Sequence, residues 1–284
     1  VFHQLVDNGY GKSGVRLLKV SRRGDRHDVQ DLRVNVRLDG EFEAAYVVGD
    51  NTKVLPTDTM KNTVYAFARE HGGGDIEDFA LALTSRFLDA HDAVAHARVD
   101  VTEIPWHRIS VGEKLHGQAF SREGDERRTT TVTRTRSGAT IVAGICGLAV
   151  LKTGHSAFRE FLRDEYTTLP DTSNRLVGTI VQASWRYGRL DVPFSTLWHS
   201  VRRHLLETFA QHESLSVQHT LYAMADAVLE NQADVVEIQM ALPNKHHWLV
   251  DLTPFGLENP NEIFAPAEEP FGLIEATVRR RAIE

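Results

Sequence analysis

Apolar and polar residues alternate most cleanly at Leu32, Val34, Val36 and Leu38, with Arg33, Asn35 and Arg37 between them. A period of two describes a strand with one buried and one wet face. An earlier strand is expected over about Gly14 to Arg22. In the stretch TDTMKNTVYAFA, Met60, Val64, Phe67 and Ala68 fall instead at helical spacing. Beyond the breaker Gly72 to Gly74, Ile76, Phe79, Ala80, Leu83 and Phe87 mark a second amphipathic helix. Alternation returns at Ala95, Ala97, Val99 and Val101, and the β-branched run RRTTTVTRTR suits one more strand.

The second half repeats this order. ATIVAGICGLAVL reads as a strand, and Val177, Thr179, Val181, Ala183 and Trp185 alternate through another. Phe194, Leu197, Trp198, Val201, Leu205 and Phe209 share one helix face; Val217, Leu221, Met224, Ala225 and Val228 share the next. Val236, Ile238, Met240 and Leu242 alternate into ALPNKHHWLV, where Pro243 is expected to interrupt pairing, and Ile274, Ala276 and Val278 close the pattern. Each half therefore reads strand, strand, helix, helix, strand, strand, with the boundary near Ser137-Gly138. This predicts an α+β chain of two tandem units, 1–137 and 138–284, each an antiparallel sheet with two helices on one face. No residue-level repeat accompanies the architectural one. A sheet polar on its other face can line a water-filled channel if several copies close into a ring, so an oligomer is expected.

Composition narrows the function little. The 284 residues carry a formal charge of −7, which disfavours a dedicated nucleic-acid binder but not a small anionic ligand. The single cysteine, Cys146, lies in an apolar run and is expected to be a buried structural thiol; one cysteine forms no intrachain disulfide. No apolar segment reaches the ~18–20 residues that span a membrane, and no signal-peptide pattern is visible.

Fourteen histidines raise a metal hypothesis that the pattern does not support. His246 and His247 are adjacent in a strand and point to opposite faces. His199 and His204 stand roughly 140° apart on a helix. Metal-binding H-E-x-x-H and C-x-x-C motifs are absent, as are G-x-S-x-G, a Walker lysine loop and G-x-G-x-x-G. Two helix starts say more. Thr57 or Asp58 is placed to cap one, and Ser214 or Ser216 the other; free N–H groups at such ends suit a flat anion. Gln218, just inside the second helix, has an amide that can read a heterocycle edge. Taken singly, these residues, like Lys12 in GYGKSGV, Phe158 in GHSAFREF and Arg175 in DTSNRLVGT, are read equally well as ordinary caps, surface charges and loop core.

Together they resemble the urate oxidase (uricase) family. The resemblance rests on YGK at 10–12, TDTMKNTVYAFA at 57–68, FLRDEYTTL at 161–169, SVQHTLY at 216–222, LPNKHHWLVDL at 242–252 and NPNEIFAPAEEPFGLIEATV at 259–278. It covers nearly the whole chain in order, and its bacterial-type members are the most similar. The family's tunnelling fold uses the strand-strand-helix-helix-strand-strand unit, two per subunit, and four subunits stack into a tunnel with active sites at their interfaces. The implied reaction oxidises urate with O2 and water to 5-hydroxyisourate and hydrogen peroxide, without metal, flavin or other cofactor.

The same resemblance assigns roles. Lys12 with Thr57 corresponds to a proton relay that His246 joins, and neutral lysine serves as its base. Asn244 would hold O2 or the attacking water above the ring. Arg175, Gln218 and the backbone N–H of Val217 would bind the purine edges, Phe158 would stack on the ring, and the Thr57-Asp58 helix end of a neighbouring subunit would complete the pocket. His247 and Trp248 depart from the family's usual aromatic residues and are read as packing variation. The peroxisomal C-terminal tripeptide of eukaryotic members is absent, so a cytoplasmic location is expected. The competing readings are another tunnelling-fold enzyme acting on a pterin or purine, possibly with zinc, and a non-catalytic purine-binding protein. Against the first, Gln218 stands where such enzymes often carry a Glu anchor.

Overall fold

A computed structural model describes residues 3–281. Its contacts group the chain into two compact units, one running to Gly144 and including Arg186–Ser195, the other comprising Ile145–Trp185 and the chain from Thr196.

The first unit begins with the long strands β1 (Tyr10–Arg23) and β2 (Arg26–Gly40). A single turn of helix, α1 (Glu43–Val47), precedes the two main helices α2 (Thr57–His71) and α3 (Ile76–Ala90). Strand β3 (Val94–Ile104), a hairpin of β4 (His107–Val111) and β5 (Lys114–Ser121), and β6 (Arg127–Thr135) follow. The sheet order is β1-β2-β3-β6, with every pair antiparallel. Leu32, Val34, Val36 and Leu38 are buried, while Arg33 and Arg37 on the alternate face are exposed. Met60 and Val64 of α2, and Ile76, Phe79, Leu83 and Phe87 of α3, complete this core. Fully burying side chains of this kind stabilises by about 1.5–3 kcal/mol each.

The second unit takes in the end of β7 (Gly138–Lys152), then β8 (Val177–Tyr187), α4 (Phe194–Gln211), α5 (Val217–Asn231), β9 (Val235–Leu249) and β10 (Phe264–Arg279). Its order is β7-β8-β9-β10. Helix α5 packs on β9 and β10, as α3 packs on β3 and β6 in the first unit. The fold is α+β, antiparallel sheet with helices laid on it.

Four details differ from the sequence reading. The hairpin β4–β5 is a separate two-stranded sheet inserted before β6, and its mostly exposed residues carry no alternation to read. Cys146 is only partly buried, on the strand face opposite the buried Ile141, Ala143 and Ile145. Pro243 does not interrupt pairing: it stands opposite Leu273, and the irregularity falls after it, where the register jumps on β10. Finally, neither Thr57 nor Asp58 caps α2; Pro56 is the N-cap and supplies no side-chain hydrogen bond.

Candidate active site

Four of the residues singled out above lie in or beside one cavity of the second unit. Between β7 and β8 the chain makes a long excursion, folded back on itself through reciprocal backbone bonds of Phe158 and Thr172 at 2.8 and 2.9 Å. Ser156 is its hub. The Ser156 carbonyl accepts from Arg175 N at 2.8 Å, and the flanking residues bond to Ser214, His155 O accepting from Ser214 N at 3.0 Å and Ala157 N donating to Ser214 O at 2.7 Å. The loop carrying Phe158 and Arg175 is thereby tied to Ser214, three residues before α5 begins. Phe158 stacks on Phe161 with ring centroids 4.8 Å apart, and the Arg175 guanidinium lies 5.0 Å over the Phe158 ring.

Arg175 is the electrostatic anomaly. Its Nε is buried and has no hydrogen-bond partner among the described residues. Burial lowers its pKa from the usual arginine value, yet a guanidinium stays charged in proteins. Leaving that buried N–H unpaired is costly.

The opposite wall comes from β9. Phe158, Arg175, Asn244, His246 and Trp248 line a cavity of about 170 Å³. Strand alternation places Asn244, His246 and Trp248 on one face, and the His246 and Trp248 rings stack at 5.4 Å. Trp248, read from sequence as packing variation, is a wall of the cavity; its i, i+2 relation to His246 was the available signal.

Helix α5 begins with a working cap. Ser216 Oγ accepts from His219 N at 3.1 Å, which leaves the amides of Val217 and Gln218 uncommitted to the cap. Val217 is buried and Gln218 exposed.

Lys12, Thr57 and Asp58 belong to the first unit. A bulge follows Lys12, because Ser13 and Gly14 together face Asn35. Gly14 has φ 71° and its N–H donates to Asn35 Oδ1 at 2.8 Å. Such bulges re-aim the neighbouring side chain. Two residues earlier, Tyr10 Oη accepts from Leu55 N at 2.8 Å and pins the segment that enters α2. The Asp58 carboxyl is held below its ordinary pKa, mainly by its hydrogen bond with Lys61 and the Lys61 charge, with Lys12 adding a weaker pull. Lys12 thus lies within electrostatic reach of the α2 start, and among the described residues its Nζ has no hydrogen-bond partner. Because α2 lacks a side-chain cap, the amides of its first turn remain available to a ligand.

Among the described residues no group of three or more His, Cys, Asp or Glu could hold a metal ion, and no helix is long and apolar enough to cross a membrane.

A model of the uricase family matches residues 8–133 and 141–275. The chain belongs to the uricase family. The uricase of Arthrobacter globiformis is 49% identical over 276 residues, covering 97% of this chain and 90% of that one. The uricase of Danio rerio is 37% identical over 284 residues, covering 98% and 95%. The crystal structure of the Arthrobacter globiformis uricase superimposes with a TM-score of 0.94 at 47% identity, covering 100% of this chain and 98% of that one. The fold persists at greater divergence: the urate oxidase of Bacillus sp. TB-90 gives a TM-score of 0.83 at 22% identity.

Proposed function

We propose that this chain oxidises urate with O2 and water to 5-hydroxyisourate and hydrogen peroxide, as a homotetramer whose sites lie at subunit interfaces. The observation that supports this most is Arg175, a half-buried guanidinium over the Phe158 ring whose buried Nε has no hydrogen-bond partner among the described residues. Urate is flat, anionic and rich in carbonyl acceptors. Phe158 stacks on its ring, and the planar donors of Arg175 bind a carbonyl oxygen and ring nitrogen. The Gln218 amide and the Val217 N–H take the opposite edge.

The chemistry asks for proton management more than for a strong electrophile. Ground-state O2 is a triplet, so reaction with a closed-shell purine is slow until the purine is made electron-rich. Lys12, as the neutral amine, removes a proton from the urate monoanion with Thr57 as its relay. The dianion then gives two electrons to O2, which leaves as hydrogen peroxide after taking two protons. Water adds its oxygen to C5 of the oxidised purine, completing 5-hydroxyisourate. Asn244 holds O2 and then water above the ring, and His246 carries protons between them and the relay. No cofactor enters this scheme.

Lys12, Thr57 and Asp58 come from a neighbouring subunit in this reading, with the amides at the start of α2 meeting the substrate's imidazolone side. A C2-related pair would then complete two sites at once. Measuring O2 uptake and hydrogen peroxide release during turnover of urate tests the reaction. One peroxide per O2 and per urate is expected; urate binding without peroxide would leave a purine-binding protein instead.

A further inference from the structure

Strands β9 and β10 pair from Glu237 opposite Arg279 to Asn244 opposite Gly272, and again from His246 opposite Ala267 to Leu249 opposite Phe264. Between these runs the single residue Lys245 faces the four residues 268–271. On the β10 side the ladder is therefore lost at the residue separating the two side chains that act above the substrate, while β8 remains the neighbour on the other side. A strand held from one side only at such a point can tilt locally and misdirect both neighbours.

Something else holds it. The Lys245 carbonyl meets His247 Nδ1 at 3.2 Å. A carbonyl only accepts, so this nitrogen carries the proton and the imidazole is the donor. The His247 ring in turn fits against β8 at Gly178, where an added Cβ would come within 2.8 Å of His247 Cε1. Gly178 is buried, so the ring is seated against a backbone surface that a larger residue would close. The Lys245 side chain reinforces the bulge from the other strand, donating to Glu268 O at 3.2 Å and pairing with the Glu268 carboxylate at 3.2 Å.

The geometry points to His247 as a positioning residue for urate oxidation: seated on Gly178, it fixes the Lys245 peptide and so aims Asn244 and His246 where pairing with β10 does not. This rests on the roles proposed for Asn244 and His246. His247 borders the same cavity, but strand alternation turns its ring toward Gly178 and away from the His246 ring, so its proposed action is through the backbone. Gly178 is the other half of the device, since its missing side chain makes the seat.

The test compares His247→Leu, His247→Gln and Gly178→Ala, each alone, with the His247→Leu/Gly178→Ala pair. Small misplacements of catalytic groups cost up to about 100-fold, so His247→Leu is expected to lower kcat roughly 10-fold to 100-fold. Urate affinity measured without O2 should change less than about threefold, because Arg175 and Phe158 stand on a different segment. His247→Gln, which keeps a donor, should recover part of kcat. Gly178→Ala should reproduce the kcat loss by displacing the ring, yet add little in the His247→Leu background, where the ring is gone. Wild-type kcat in His247→Leu overturns the proposal, as do equal losses in kcat and anaerobic affinity, which mark general disruption. A wild-type protein that does not oxidise urate overturns the functional reading as well; an active wild type with a fully active His247→Leu overturns this inference alone.

Discussion

The Arg175 guanidinium lies 5.0 Å over the Phe158 ring while its buried Nε has no hydrogen-bond partner among the described residues. A hydrogen bond to a charged group contributes about 1.5–3 kcal/mol, and leaving a buried polar group unmade costs a comparable amount. Arg175→Met keeps the apolar stem and removes the charge. It should weaken urate binding roughly 10-fold to 100-fold and, without substrate, raise the melting temperature. Anaerobic titration and thermal unfolding measure the two effects. A lowered melting temperature with unchanged affinity would mean that the guanidinium serves the fold and not a ligand.

Lys12 follows the same logic from the other unit. Its amine has no hydrogen-bond partner among the described residues but lies within electrostatic reach of Asp58 at the start of α2. Lys12→Met and Thr57→Ala should each reduce turnover by roughly 100-fold or more, the scale of a lost general base. Mixed oligomers of Lys12→Met and Arg175→Met subunits should regain activity that neither parent has, since some interfaces then carry both residues. Full activity in both single variants removes the relay, and silent mixed oligomers contradict an interfacial site.

Tyr10 should matter without touching substrate. Its hydroxyl accepts from Leu55 N–H at 2.8 Å, and Leu55 stands two residues before Thr57. Tyr10→Phe keeps the edge contact with Phe42, whose ring centroid is 4.9 Å away. The lost hydrogen bond should cost about 1 kcal/mol of stability, with a fall in kcat larger than any change in urate affinity. Steady-state kinetics beside thermal unfolding separates these, and an unchanged kcat would show that the α2 start is held by other means.

Glu77 gives a pH-dependent stability signal away from the site. It is fully buried, its carboxylate 2.6 Å from Arg128. That one guanidinium also faces Asp75 at 3.3 Å and carries the charge of Glu103. Burial outweighs the shared cation and raises the Glu77 pKa from 4.5 to about 7. The folded state therefore favours the protonated form. Its contribution is fully present below pH 4.5 and is lost as the pH rises through about 7. Between pH 5 and pH 8 this amounts to on the order of 2–3 kcal/mol. Thermal unfolding should show that loss in the wild type and a flatter profile in Glu77→Gln; parallel profiles would place the titration elsewhere.

Much of this architecture was readable because buried faces leave a period. Leu32, Val34, Val36 and Leu38 alternate since one face meets α2 and α3 and the other meets solvent. The hairpin β4–β5 escaped notice for the opposite reason: neither face is enclosed, so HRISV and KLHGQAFS follow no period. Helix α1 is five residues long, too short to show one. A threonine and an aspartate look like caps, yet Pro56 holds that position, so α2 starts one or two residues earlier than Thr57 and Asp58 suggest. Residue types in the site could be picked out by resemblance. Their assembly could not: Arg175 reaches Phe158 across a loop without periodicity, and Ser156 organises that loop through its backbone, where side-chain identity says nothing.

The central claim is tested most directly by following the near-UV absorbance of urate with the purified protein, in air, under nitrogen, and in air with a strong metal chelator. Absorbance is expected to fall in air, to hold steady under nitrogen, and to fall at the same rate with chelator as without. Turnover abolished by chelator, or urate left unchanged in air, would contradict it.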